Sequence, residues 1–254
     1  EQEEAIDQPK YLDRSSLEYP QTGIKALFDE SLRLLQNAAY KAITHGLSVH
    51  REDLESGRDL KTVLESRETI PVDIEKLYAT KIKSIYSQIL EYATRLQSDF
   101  ALEQDKIETI RNILIADRML VHIVKRMIPL HKNVVRFLSS NNHVIMHEYN
   151  MIRRKILKVV REIHLASESE HPLRHIREIE KERKKAEELD VLISGRVNQL
   201  VLDGEITNQM ATSLMNDSDE AGKIVRDLVD IATLLYYPRD KLMDQIEEEK
   251  LEAP

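Results

Sequence analysis

Two stretches one hundred residues apart each set an aspartate in the middle of an apolar seam. In the first, Ile110, Leu114, Asp117, Val121, Val124 and Ile128 recur at spacings of 4, 3, 4, 3 and 4; Met210, Leu214, Asp217, Ala221, Ile224 and Leu228 do the same in the second. This rhythm puts all six positions on one face of an α-helix, and a strand, with its period of two, cannot reproduce it. Such a face is buried against neighbouring helices. The rest of the chain agrees, because only 6 Gly and 7 Pro punctuate 254 residues, of which 32% are charged and 41% apolar. That composition predicts an all-α helical bundle, long enough to bury a sizeable core.

Six helical segments follow from the periodicity. Residues 21 to 46 repeat Ile24, Leu27, Phe28, Leu32, Leu35, Ala38, Ala39 and Ala42 and stop near Gly46. The polar stretch HREDLESGRD, with Gly57 inside it, fits a loop or a short helix. A second helix is expected from Pro71, at a first-turn position, through PVDIEKLYATKIKSIYSQILEYATRLQ, and a third over 102 to 128. Pro129 is expected to restart the chain. The fourth segment, from PLHKNVVRFL onward, carries Asn141-Asn142 at a bend or split. A fifth spans about 172 to 202 and ends before Asp203-Gly204; the sixth covers roughly 205 to 236 and stops before Pro238.

Three helices, a proline and three more helices invite comparison of the halves. The seams already match at an offset of 100. In the second helices, Asp73, Glu75, Leu77 and Ile82 line up with Glu188, Asp190, Leu192 and Val197 at an offset of 115. Two tandem antiparallel three-helix bundles are therefore expected: a tether over 1–20, a first bundle over 21–128, a second over 129–249 and a tail over 250–254. The tether holds PKYLDRSSLEYP, bounded by Pro9 and Pro20.

An aspartate on an apolar stripe is costly unless it is hydrogen-bonded, neutralised or bound to a cation. Two alternatives stand. Each aspartate accepts hydrogen bonds from a neighbouring helix, with Asn112, Thr212 and Ser213 as candidate donors, or it joins acidic residues of the second helix to bind a divalent metal. His143 with His147, and His171 with His175, also stand four apart, a spacing that suits zinc if a third ligand joins; otherwise they are surface histidines. Basic residues cluster at Arg153, Arg154, Lys155, Lys158 and Arg161, and again at Arg174, Arg177, Lys181, Arg183, Lys184 and Lys185. Interleaved with Glu178, Glu180 and Glu182 they form a solvated helix face. Beneath a membrane, Arg153, Arg154, Lys158, Lys181, Lys184 and Lys185 would instead meet anionic headgroups or a partner.

Several function classes are disfavoured. The absence of cysteine excludes disulfides and thiolate chemistry and fits a reducing compartment. A formal net charge of -8 disfavours a general nucleic-acid binder. No GxSxG elbow or phosphate-cradling Gly-rich loop is present, so no enzyme, bound cofactor or small-molecule substrate is expected. No apolar run is long enough to cross a bilayer. The chain begins with Glu1 and carries no signal peptide, so it is expected to be part of a longer protein.

With an aspartate in the middle of each third helix, within LIADRMLVHIV and LMNDSDEAGKIV, the doubled bundle resembles the PhoU family. Two segments narrow the likeness. PKYLDRSSLEYPQTGIKAL and ITNQMATSLMNDSDEAGKIVRDL are similar to the cytoplasmic region that follows the last membrane helix in bacterial sodium/phosphate cotransporters, a likeness running from about Pro9 to Tyr237. The resemblance implies a cytoplasmic regulatory domain beneath the plasma membrane. It would act by protein–protein contact with the membrane portion of the same polypeptide or with another regulator, and a homodimer is a candidate assembly. PKYLDRSSLEYP would be the connector that leaves the bilayer. PhoU proteins place a second acid four residues before the seam aspartate, where this chain has Ile113 and Ser213. Glu55 with Asp59 and Asp240 with Asp244 have the spacing but not the position, so no PhoU-type metal cluster is expected. A single cation held by Asp73, Asp117, Glu188 or Asp217 stays open. The alternatives are a freestanding metal-binding PhoU-like signalling regulator and a structural oligomerisation domain.

Overall fold

The computed structural model describes residues 5–170 and 172–252 and, within the fifth long segment, only the backbone of Leu173 and of residues 189–194. His171 and the side chains of Asp190 and Leu192 thus lie outside the described residues. The fold is all-α, and the described residues form no strand. The helices are α1 (Pro20–Leu34), α2 (Tyr40–Gly46), α3 (Glu52–Glu55), α4 (Leu60–Val63), α5 (Ile74–Leu77), α6 (Lys83–Asp99), α7 (Gln104–Leu138), α8 (His143–Glu168), α9 (Pro172–Leu202) and α10 (Asn208–Glu252).

Local chemistry accounts for most ends. Pro20 opens α1 behind an extended Tyr19, because proline needs no amide partner in the first turn and disfavours helical backbone just before it. Asn142 caps α8 through its side-chain oxygen, which accepts from the amides of Val144 and Ile145 at 3.0 and 3.1 Å. The Asn141-Asn142 pair therefore separates α7 from α8. After α9, Gly204 takes the left-handed conformation (φ 71°), and the Glu205 amide returns to the Leu200 carbonyl at 2.9 Å. The HREDLESGRD stretch contains α3 and leads into α4, with Gly57 (φ 65°) between them. Two five-residue turns of wider π geometry, Leu35–Ala39 after α1 and Tyr78–Ile82 after α5, pack against each other.

Three expected boundaries are corrected. The second helix starts at Ile74, not at Pro71. Pro129 does not restart the chain but sits inside α7, and Pro238 sits inside α10. A proline removes one amide from a helical ladder, and a long helix with a well-packed face survives that loss.

The chain packs as two compact units, which do not follow the division expected at 128/129. Unit 1 takes the residues up to Ala39, Glu75–His122 and those from Asp230 onward; unit 2 takes Tyr40–Ile74 and Ile123–Val229. In unit 1, α1 packs on α6, and Leu27, Phe28, Ile89, Leu96, Ile113 and Leu120 are buried. In unit 2, α8 and α9 form an antiparallel hairpin, α3 and α4 lie on α8, and Phe137, Tyr149, Ile156, Val160, Ile224 and Leu228 are buried. Both aspartate seams face an interior, as their rhythm requires.

Candidate functional site

Asp117 lies on the α7 seam within unit 1 and is 0% exposed. Its Oδ2 accepts from the Ser31 hydroxyl of α1 at 2.8 Å, while Oδ1 is buried without a hydrogen-bond partner. Burial pushes the carboxyl up to about 8; the Ser31 bond opposes the shift and the charge of Glu30 adds to it. Asp117 therefore keeps its proton at neutral pH. Tyr86 is raised as well, by burial first and then by the charge of Asp117.

Glu30, one residue before Ser31, is also fully buried. Its Oε1 accepts from the amides of Lys10 and Tyr11 at 2.6 and 3.0 Å, and Oε2 accepts from Arg33 at 3.0 Å. Three donors keep a buried carboxylate solvated in place of water. Two of them come from the tether. That segment lies against unit 1 through further polar contacts: Asp7 amide to Thr80 carbonyl at 2.9 Å, Lys81 to Asp7 at 2.9 Å, and Ser16 Oγ with Tyr92 OH at 2.5 Å.

Asp217 occupies the matching position in unit 2 and is nearly as buried. Its Oδ2 accepts from the Tyr149 hydroxyl of α8, a short hydrogen bond, and from Asn133 Nδ2 of α7 at 2.8 Å. Burial raises Asp217, the two hydrogen bonds pull it back, and Glu220 adds to the rise. Tyr149 is raised by burial and by the same bond, and its ring stacks on Phe137 at 4.6 Å. The register match of the two aspartates does not extend to their donors, a hydroxyl of α1 in one case and a phenol plus an amide in the other. None of Asn112, Thr212 or Ser213 donates to a seam aspartate; Thr212 instead bonds back to Asn208. Spacing along one helix cannot reveal what a different helix brings across.

The four metal candidates are each placed within their own unit. Asp117 belongs to unit 1 and Asp73, Glu188 and Asp217 to unit 2, where Asp73 and Glu188 are exposed and Asp217 is interior. Among the described residues no group of three or more His, Asp or Glu side chains is placed to hold a metal ion. His143 is exposed, with Nδ1 3.1 Å from Arg67, and His147 is exposed; His175 lies 3.7 Å from Glu162.

The basic cluster divides. Arg153 is corrected from a surface contact to an interior residue: it is 0% exposed and donates to the carbonyls of Leu47 and Ser48 and to Asn150. Arg161, two turns further along α8, donates to the carbonyls of Arg58 and Asp53. Both guanidinium groups thus fasten the connector that holds α3 and α4, where only a planar multi-donor fork reaches two carbonyls at once. Arg154 and Lys184 are exposed; Lys158 approaches Glu182 at 3.9 Å, Lys181 pairs with Glu178 at 2.9 Å and Lys185 with Glu182 at 3.4 Å. Exposed pairs of this kind add little stability.

Sequence reasoning did not single out Glu30, Ser31, Asn133 or Tyr149. A signal existed for the first two: in α1 they follow Leu27 by three and four residues and so fall on its apolar face. Chemically, the arrangement holds carboxyls in place and keeps them from water. Comparison with protein-family models, with curated proteins and with solved structures returned no match.

Proposed function

We propose that this chain is a PhoU-like regulatory module, not an enzyme, which acts on the cytoplasmic side of a sodium-dependent phosphate transporter by contact with the membrane portion or with another regulator. One observation carries this most: the two seam aspartates, one hundred residues apart, are both withdrawn into helical interiors and hydrogen-bonded there by side chains of other segments. A doubled helical module with its acids turned inward suits signalling by shape and contact. The sequence resemblance supplies the transporter context. Among the described residues no helix is long and apolar enough to cross a membrane, which is compatible with membrane segments elsewhere in the parent protein.

The partnerless Oδ1 of Asp117 favours a second candidate, a freestanding metal-binding PhoU-like regulator. Sodium-dependent phosphate uptake separates the two. Cells carrying the full reading frame are compared with cells in which it is truncated at Pro9. Uptake that persists but escapes repression supports a control domain; uptake and repression that both survive truncation unchanged defeat it. Stoichiometric divalent metal in protein purified without a polyhistidine tag moves the assignment to the second candidate.

A further inference from the structure

We infer that residues 7–16 form a detachable latch on unit 1, fastened by the buried carboxylate of Glu30 and able to leave without unfolding the helices beneath. No residue of this segment is itself buried, so it contributes little apolar area to the core. Its contacts are polar and mostly made by backbone. The amide of Asp7 meets the Thr80 carbonyl at 2.9 Å, the carbonyl of Gln8 meets Arg33 at 3.4 Å, and the amides of Lys10 and Tyr11 meet Glu30 at 2.6 and 3.0 Å. At the far end, Ser16 meets Tyr92 at 2.5 Å, and Thr22 Oγ1 donates to the Ser16 carbonyl at 2.8 Å. The segment therefore crosses α1, the wide turn Tyr78–Ile82 and α6 as one strap.

Segments with few buried apolar contacts and solvent-accessible backbone bonds are the ones that open locally, ahead of the global transition. This strap has that character everywhere except over Glu30, which is 0% exposed. When the strap lifts, Glu30 loses two of its three donors and gains water. The strap's position is thus coupled to a single buried charge, and a pull on the chain before residue 7 would be reported at α1. What supplies that pull rests on the transporter assignment above; the opening itself is a property of this chain alone, so the two can fail separately.

The test uses the chain of residues 1–254 and reads amide hydrogen exchange at Lys10 and Tyr11 together with trypsin cleavage after Lys10 and Arg14. In the native chain these amides should be protected yet exchange faster than the core of α1. Glu30→Gln should speed both readouts by about tenfold or more, the effect of losing a hydrogen bond's charge assistance. Tyr11→Pro removes one donor without touching the core. Because proline has no amide and blocks cleavage after Lys10, this variant is read at the Lys10 amide and by cleavage after Arg14, where it should act in the same direction with far-UV circular dichroism unchanged. It keeps the test valid if the Glu30 variant fails to fold. Native amides that exchange as fast as unstructured chain overturn the latch, and so does exchange only on global unfolding. Unchanged rates in Tyr11→Pro overturn the role of Glu30 as its fastener.

Discussion

Arg153 on α8 donates its Nε hydrogen to the carbonyl oxygen of Leu47 at 2.8 Å, and its other two nitrogens reach the Ser48 carbonyl at 3.2 Å and Asn150 Oδ1 at 2.8 Å. Burial lowers the guanidinium to about 10, so it is still a cation at neutral pH. Its acceptors are all neutral, and it holds the chain where α2 ends and Ser48 turns through a left-handed backbone (φ 55°). Arg153→Lys supplies the charge without the fork and should lower stability by about 2–3 kcal/mol, whereas Arg154→Ala, one position on, should stay within about 0.5 kcal/mol. Denaturant midpoints measure both. Equal effects of the two would mean that Arg153 is not the staple described.

Asp217 and Tyr149 form the polar pair of unit 2. Tyr149→Phe keeps the stack on Phe137 and removes the hydroxyl that Asp217 accepts, at a cost of about 1–3 kcal/mol. Asp217→Asn in the same chain should be non-additive with it, with a coupling of about 0.5–3 kcal/mol in a double-mutant cycle. Additive effects would show that the two side chains do not interact in solution.

Asp117 gives stability a pH dependence of definite sign. Its carboxyl rises from 3.8 to about 8 in the folded chain because it is buried beside Glu30 with one oxygen partnerless. The folded chain therefore holds a proton that the unfolded chain has lost. The resulting stability is fully present below 3.8, drains away as pH rises, and is gone above about 8. In Asp117→Asn this loss disappears, so the variant should gain on the parent by several kcal/mol between pH about 5 and about 9. Parallel melting profiles of the two proteins across that range would rule out a buried acid at this position.

Glycine to alanine should have opposite signs at two places in and after α9. Gly204 holds φ 71°, where a Cβ is strained whatever the free space, so Gly204→Ala should cost about 1 kcal/mol. Gly195 lies inside the helix with nothing within 4 Å of an added Cβ, and Gly195→Ala should stabilise by about 0.5–1 kcal/mol. Thermal unfolding of the two variants is sufficient. A gain at Gly204 would contradict the left-handed turn that ends α9.

The sequence by itself determined the helices and their inward faces. A 3.6-residue rhythm in apolar side chains is a local property, legible wherever it persists, and so Asp117 and Asp217 could be placed on buried seams and α9 bounded at 172 to 202. Asn142 and Gly204 likewise act through their own neighbours. Only the tertiary structure decided what the buried acids meet, because Ser31 and Asp117 stand 86 positions apart in the chain and Tyr149 and Asp217 stand 68 apart. The same holds for Arg153, whose place among basic residues spoke for the surface until the carbonyls of Leu47 and Ser48 drew it inside. Pro129 spoke for a break that the packing of α7 overrode. Periodicity states which side of a helix is dry; which polar groups share that dryness depends on how separate helices are brought together, and no spacing along one helix carries that information.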